Sequence, residues 1–130
     1  MAEDRRAGLL GPRTDPAGRG RVGEQAAVDW LLGQGFQVVE RNARTGAGEI
    51  DLVARDGDTL CFVEIKARLS DRHGGALAAV GHAKQRRLVR AARLWLASNP
   101  WNGPCRFDVL ALDGDGGRWR YTLVRGAFTT

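Results

Sequence analysis

Apolar residues recur along the chain with two periods, and the switches between them mark out the elements. Between residues 21 and 32, Ala27, Val28 and Leu31 form a stripe at helical spacing, which Glu24 extends by one turn, and Gly33 and Gly35 follow as stop signals. Phe36 to Arg41 reads as a strand, and Asn42 to Gly48 as a polar loop. From Gly48 to Arg68 two runs rich in Ile, Leu, Val and Phe flank Asp56-Gly57-Asp58, which predicts a hairpin turning at Gly57-Asp58. Residues 69 to 81, with His73, read as a loop carrying a candidate phosphate contact that is equally an ordinary surface histidine; His82 sits near the next helix start. A second helix spans about 83–98, with Leu88, Ala91, Ala92 and Trp95 as its apolar stripe and Asn99-Pro100 as its end. Strands follow at 105–112, interrupted by Asp108, and at 118–125, with an acidic-glycine turn at 113–117 between them. The order α-β-β-β-α-β-β predicts an α/β fold, a central mixed sheet flanked by helices. Residues 1–19 lack periodicity and read as a flexible N-terminal arm; 20–130 form a single domain.

The hairpin also places charge. With Gly57 and Asp58 as turn residues, Asp51 lies opposite Glu64 and Glu49 opposite Lys66, and all four side chains share one face. Three carboxylates and an ammonium among aliphatic neighbours are costly to desolvate unless paired or holding a cation. Two readings stand side by side: a cross-strand ion-pair ladder on a solvated face, or a site for a hard divalent cation in which a lysine orients the attacking water.

Composition sharpens this picture. The 130 residues carry a net charge of +5, and no acidic residue occurs between Arg72 and Phe107, a segment that includes Lys84, Arg86, Arg87, Arg90 and Arg93. A basic helix beside a carboxylate cluster suits a polyanion held over a metal site, or is simply a solvated helix face. Only two of the twenty basic residues are lysines, Lys66 and Lys84. A compact ammonium does what a planar guanidinium cannot beside a cation-bound water, which singles out Lys66 and, less firmly, Lys84. Cys61 and Cys105 lie singly in strands and read as buried thiols. No apolar run suits a membrane span or a signal peptide, so a cytoplasmic protein without a membrane partner is expected.

At these residues the chain resembles a known superfamily. Asp51, a gap, then Glu64-Ile65-Lys66 match the signature of PD-(D/E)XK nucleases, although Ile50 stands where proline precedes the aspartate. The strings GRVGEQAA, GEIDLVARDG, FVEIKAR and the terminal VRGAF resemble the YraN family of endonuclease-like proteins over about residues 18–128. The resemblance implies the restriction-endonuclease-like αβββαβ core with one extra C-terminal strand. It implies a Mg²⁺- or Mn²⁺-dependent endonuclease acting on DNA, with RNA left open. Asp51, Glu64 and the Ile65 carbonyl would ligate the metal, Lys66 would act at the attacking water, and Glu24 would complete the site or serve as a helix-dipole residue. Lys84 and Gln85 gain a role near the site. Arg86, Arg87, Arg90 and Arg93 are candidates for phosphate contacts. Glu49 is either a partner of Lys66 or structural. The rival is a nucleic-acid-binding module that does not cut. A homodimer is compatible with either.

Overall fold

The computed structural model describes residues 3–4, 16–68, 80–114 and 118–128. The segment around His73, most of the 113–117 turn and most of residues 1–15 lie outside them. One six-stranded sheet runs β1 (Glu3–Asp4), β6 (Trp119–Phe128), β5 (Cys105–Gly114), β4 (Thr59–Arg68), β3 (Gly48–Asp56), β2 (Gln37–Thr45) across its width. Helix α1 (Pro16–Gly33) and helix α2 (His82–Ser98) supply the remaining elements. Only β4 and β5 pair in parallel, joined through α2; the other neighbours are antiparallel, so the sheet is mixed as expected.

Two apolar clusters lie on the two faces of the sheet. Ala27, Val28 and Leu31 of α1 pack on Leu52, Ala54, Val63, Leu110 and Trp119. Leu88, Ala91, Ala92 and Trp95 of α2 pack on Ile50, Val53, Leu60, Phe62 and Phe107. Each helix thus buries the stripe its sequence showed, and Trp95 is core, with its ring edge-on to Phe62. Close-packed burial of such side chains is the main favourable term in folding.

The hairpin register is the expected one: Leu52 faces Val63, Ala54 faces Cys61 and Asp56 faces Thr59. Gly57 takes φ 62°, as a hairpin with glycine at the first turn position requires. Three boundaries differ from the sequence reading. Helix α1 begins at Pro16 and so takes in residues assigned to the arm, and Glu3–Asp4 pair with β6. The expected loop from Asn42 is strand as far as Thr45, because its backbone continues the ladder to β3 at Ala43, Arg44 and Thr45. Strand β6 runs on to Phe128 past a bulge opposite Asp108. Cys61 is buried as expected, whereas Cys105, the first residue of its strand, is exposed.

Candidate active site

The site forms where β3 and β4 part. Strict alternation would put Ile50 and Leu52 on one face, yet Ile50 belongs to the α2-side core and Leu52 to the α1-side core. The strand therefore rotates at Asp51. The Asp51 carboxylate turns into the gap and accepts the Ile65 backbone N–H at 2.8 Å. Beyond Leu52–Val63 that bond takes the place of the Asp51–Glu64 pairing.

Glu64 keeps the α2-facing parity of Phe62 and is 4% exposed. Lys84 Nζ from the first turn of α2 reaches its Oε2 at 2.7 Å, and Lys66 Nζ lies 3.8 Å from the same oxygen. The two lysines of the chain thus converge on one buried carboxylate. Glu49 does not join them. It is exposed and lies opposite Arg44 of the edge strand, with Arg44 Nε at 3.9 Å. Of the two roles open to Glu49, partner of Lys66 or structural residue, its place opposite Arg44 favours the structural one, because the rotation at Asp51 separates Glu49 from the cluster.

Glu24 reaches the site by a close approach of α1 to β4. A Cβ on Gly23 would lie 2.8 Å from the Ala67 Cβ, so only glycine permits this helix–strand distance. Since α1 begins at Pro16, Glu24 sits in its third turn, beyond the range of an N-terminal dipole effect. The helix-dipole reading therefore falls away.

The electrostatics follow from this crowding. Burial first, then repulsion from Glu64 and Glu24, push the Asp51 carboxyl up from 3.8 to about 7, against the opposing Ile65 N–H bond and Lys84. Burial and the neighbouring Lys84 ammonium lower Lys66. Burial is the largest single influence on Lys84 and opposes its charge, but the hydrogen bond and charge attraction of Glu64, helped by Lys66 and Asp51, together outweigh it and raise Lys84. A buried carboxylate (Glu64) and a half-buried one (Asp51) that repel one another, with a third nearby, are the hard oxygen donors a divalent cation takes. A cation placed there would remove the repulsion that raises Asp51. Among the described residues no group of three His, Cys, Asp or Glu side chains stands ready to enclose a metal. The donor set therefore fits a cation held by Asp51 and Glu64 that keeps waters or substrate oxygens for its other positions, as Mg²⁺ does.

The candidate phosphate contacts divide. Arg86, Arg90 and Arg93 are exposed on α2, away from its buried stripe. Arg87 is half-buried and turned inward. Its Nη1 donates to the carbonyls of Ala47 and Glu49 at 3.4 Å each, across the β2–β3 turn. Gly48 there has φ 120°, and any Cβ on it would run into the Arg87 guanidinium. Arg87 thus braces the turn that leads into Asp51, a role the basic run of the sequence disguised. Gln85 donates to the Val80 carbonyl at 3.1 Å and holds the approach to α2. His82 is an exposed residue at the helix start.

Asp108, the polar interruption in its strand, has an arginine partner. Asp108 is fully buried and takes a two-pronged bond from Arg106, Nε to Oδ1 at 2.8 Å and Nη2 to Oδ2 at 2.9 Å. The Gly126 N–H in the β6 bulge donates to Asp108 Oδ1 at 2.9 Å. Arg106 and Arg125 both reach Asp56, whose carboxyl is held low chiefly by the Arg106 bond. This network locks β5, β6 and the hairpin tip at the far end of the sheet.

The element order, with paired carboxylates where β3 and β4 part, defines an α/β protein with a nuclease-like αβββαβ core. The chain belongs to uncharacterised protein family UPF0102, whose model matches residues 23–112, in agreement with the YraN resemblance of its motifs. A UPF0102 protein of Symbiobacterium thermophilum is 49% identical over 113 residues, covering 84% of this chain and 94% of the relative. Those of Alkalilimnicola ehrlichii and Halorhodospira halophila are 46% and 47% identical, covering 85% and 89% of this chain and 86% and 91% of their own lengths. No helix among the described residues is long and apolar enough to cross a membrane.

Proposed function

We propose that this protein is a Mg²⁺- or Mn²⁺-dependent endonuclease that hydrolyses phosphodiester bonds in DNA. The observation that carries the reading is the convergence of Asp51, Glu64, Lys66 and Lys84 where β3 and β4 part, with Glu24 close enough to repel Asp51. A stable ladder of ion pairs would not leave the half-buried Asp51 carboxyl raised to about 7.

Asp51 and Glu64 would hold the cation, with Glu24 and the Ile65 carbonyl as further oxygen donors. When bound, the cation supplies Lewis acidity at a phosphoryl oxygen and lowers the pKa of water. The protein's own groups do the rest. Ile65 N–H fixes the orientation of Asp51. Lys66 Nζ, half-buried beside Glu64, donates to the attacking water or a non-bridging phosphate oxygen, stabilising charge as it develops. Lys84 offsets the charge of Glu64 as the site stands, and would be free to pair with a substrate phosphate once Glu64 holds a cation. Arg86, Arg90 and Arg93 hold the polyanion along α2.

That no three His, Cys, Asp or Glu side chains among the described residues enclose a metal position, together with the grip of Lys84 on Glu64, favours a second reading, a module that binds nucleic acid without cutting it. Glu64→Ala separates the two. In the endonuclease it abolishes cleavage of a labelled DNA and leaves DNA binding in place. Wild-type protein that binds DNA but cuts no more than Glu64→Ala in either cation establishes the binding module instead.

A further inference from the structure

At the opposite end of α2 from the carboxylates, a cavity of about 560 Å³ opens between the helix terminus and the sheet. That volume is in the range of small-molecule sites, roughly 300–1,000 Å³. Its lining includes Val39, Glu40, Arg55, Leu60, Trp95 and Trp101. We infer that this cavity holds one unpaired nucleotide, its base stacked against the Arg55–Trp101 pair. Assigning that nucleotide to a substrate strand rests on the endonuclease reading above.

Three features point to this ligand. First, a planar platform is already built. The Arg55 guanidinium carbon lies 5.4 Å from the Trp101 ring centroid. The indole is pinned by its Nε1 donating to the Pro104 carbonyl at 3.0 Å and by Gly103 packed so closely that a Cβ there would lie 3.0 Å from Nε1. Stacking of bases on aromatic rings and guanidinium planes is how unpaired nucleotides are held.

Second, Arg55 is short of partners. Among the described residues its Nε is buried without a hydrogen bond, and its Nη2 has one long contact of 3.5 Å to the Gly57 carbonyl. No carboxylate lies within ion-pair distance of it among the described residues. A cation that lines a cleft without an ion-pair partner calls for an anion or acceptor, which a nucleotide's phosphate or base carbonyl supplies.

Third, Glu40 stands beside the platform. Its Oε1 accepts the Trp95 indole N–H at 2.8 Å, which fixes the carboxylate and leaves Oε2 to accept from a base amino or imino group. Guanine offers both donors on one edge. Leu60 in the cavity and Glu64 in the site lie four residues apart on the α2 side of β4, about 13 Å by strand rise. One nucleic-acid strand would reach both. A paired base cannot enter such a recess without leaving the helix, so the cavity selects single-stranded or unpaired substrate.

The test uses the full chain in EDTA, so that binding is read without cleavage. Fluorescence anisotropy follows a labelled guanine-containing single strand and its duplex, with guanosine monophosphate as competitor. Trp101→Ala and Arg55→Lys are each expected to weaken single-strand binding roughly tenfold or more and to leave duplex binding unchanged. Competition by the mononucleotide would identify free nucleotide as a ligand in its own right. Loss in the variants without competition would identify the strand as the source. If both variants melt like wild type and bind the single strand as tightly, the inference is overturned; should Trp101→Ala not fold, Arg55→Lys decides it. Cleavage in Mg²⁺ by variants with unchanged single-strand affinity would refute the cavity and spare the endonuclease. Single-strand binding lost in the variants, with no cleavage by wild type, would do the reverse.

Discussion

Replacing Asp51 by asparagine should make the protein more stable at neutral pH. The carboxyl is raised from 3.8 to about 7, chiefly by burial and next by Glu64. Three pKa units correspond to about 4 kcal/mol at about 1.4 kcal/mol per unit. In the folded chain the carboxyl keeps its proton up to about pH 7; unfolded, it loses it near 3.8. Between these values the folded state binds more protons, so stability falls as pH rises and the full penalty is present above pH 7. Asparagine retains an oxygen to accept the Ile65 N–H but cannot ionise. Urea denaturation in EDTA across this range would read the difference. Asp51→Asn should match wild type near pH 4 and exceed it by a few kcal/mol at pH 8, the upper bound being about 4 kcal/mol. Saturating Mg²⁺ should narrow the gap at pH 8 by stabilising wild type alone. A variant no more stable than wild type at pH 8, or a gap independent of pH, would refute the electrostatic account of the site.

Other consequences are separable. Arg106→Ala leaves the fully buried Asp108 without its two-pronged partner and should cost roughly 3–5 kcal/mol in urea unfolding; Arg106→Lys, lacking the planar fork, should recover only part of it. Gly48→Ala combines a φ of 120° with a collision against Arg87, and should destabilise by more than about 1 kcal/mol and depress cleavage through Asp51. If Arg86, Arg90 and Arg93 contact phosphates, the triple alanine variant should flatten the slope of log affinity against log salt by about 2.7, whereas a basic face merely solvated would leave the slope unchanged.

The hairpin was legible because its information is local. A turn glycine and alternating apolar residues fix the register, and Leu52–Val63 through Asp56–Thr59 follow it. The helix stripes were legible for the same reason. What alternation could not show was the rotation at Asp51. It removes Glu49 from the cluster and turns Asp51 to the Ile65 amide, and it depends on two cores pulling Ile50 and Leu52 to opposite faces. The start of α1 was hidden because Pro16 to Arg21 carry no apolar stripe, and with it the depth of Glu24 in the helix. The inward turn of Arg87 was hidden in a run of like charges, although Gly48 was a visible sign that something packs closely there. Lys84 stood out as a lysine in a chain of arginines and through the family resemblance, and its place on Glu64 is a long-range contact no local pattern encodes.

Cleavage by the purified protein of a labelled panel of linear, single-stranded, flapped and branched DNA, in Mg²⁺, Mn²⁺ and EDTA, tests the central claim most directly. Cutting that requires the cation and vanishes in both Asp51→Ala and Lys66→Ala is the predicted result. No cutting of any substrate in either cation, with salt-sensitive DNA binding intact, would contradict it.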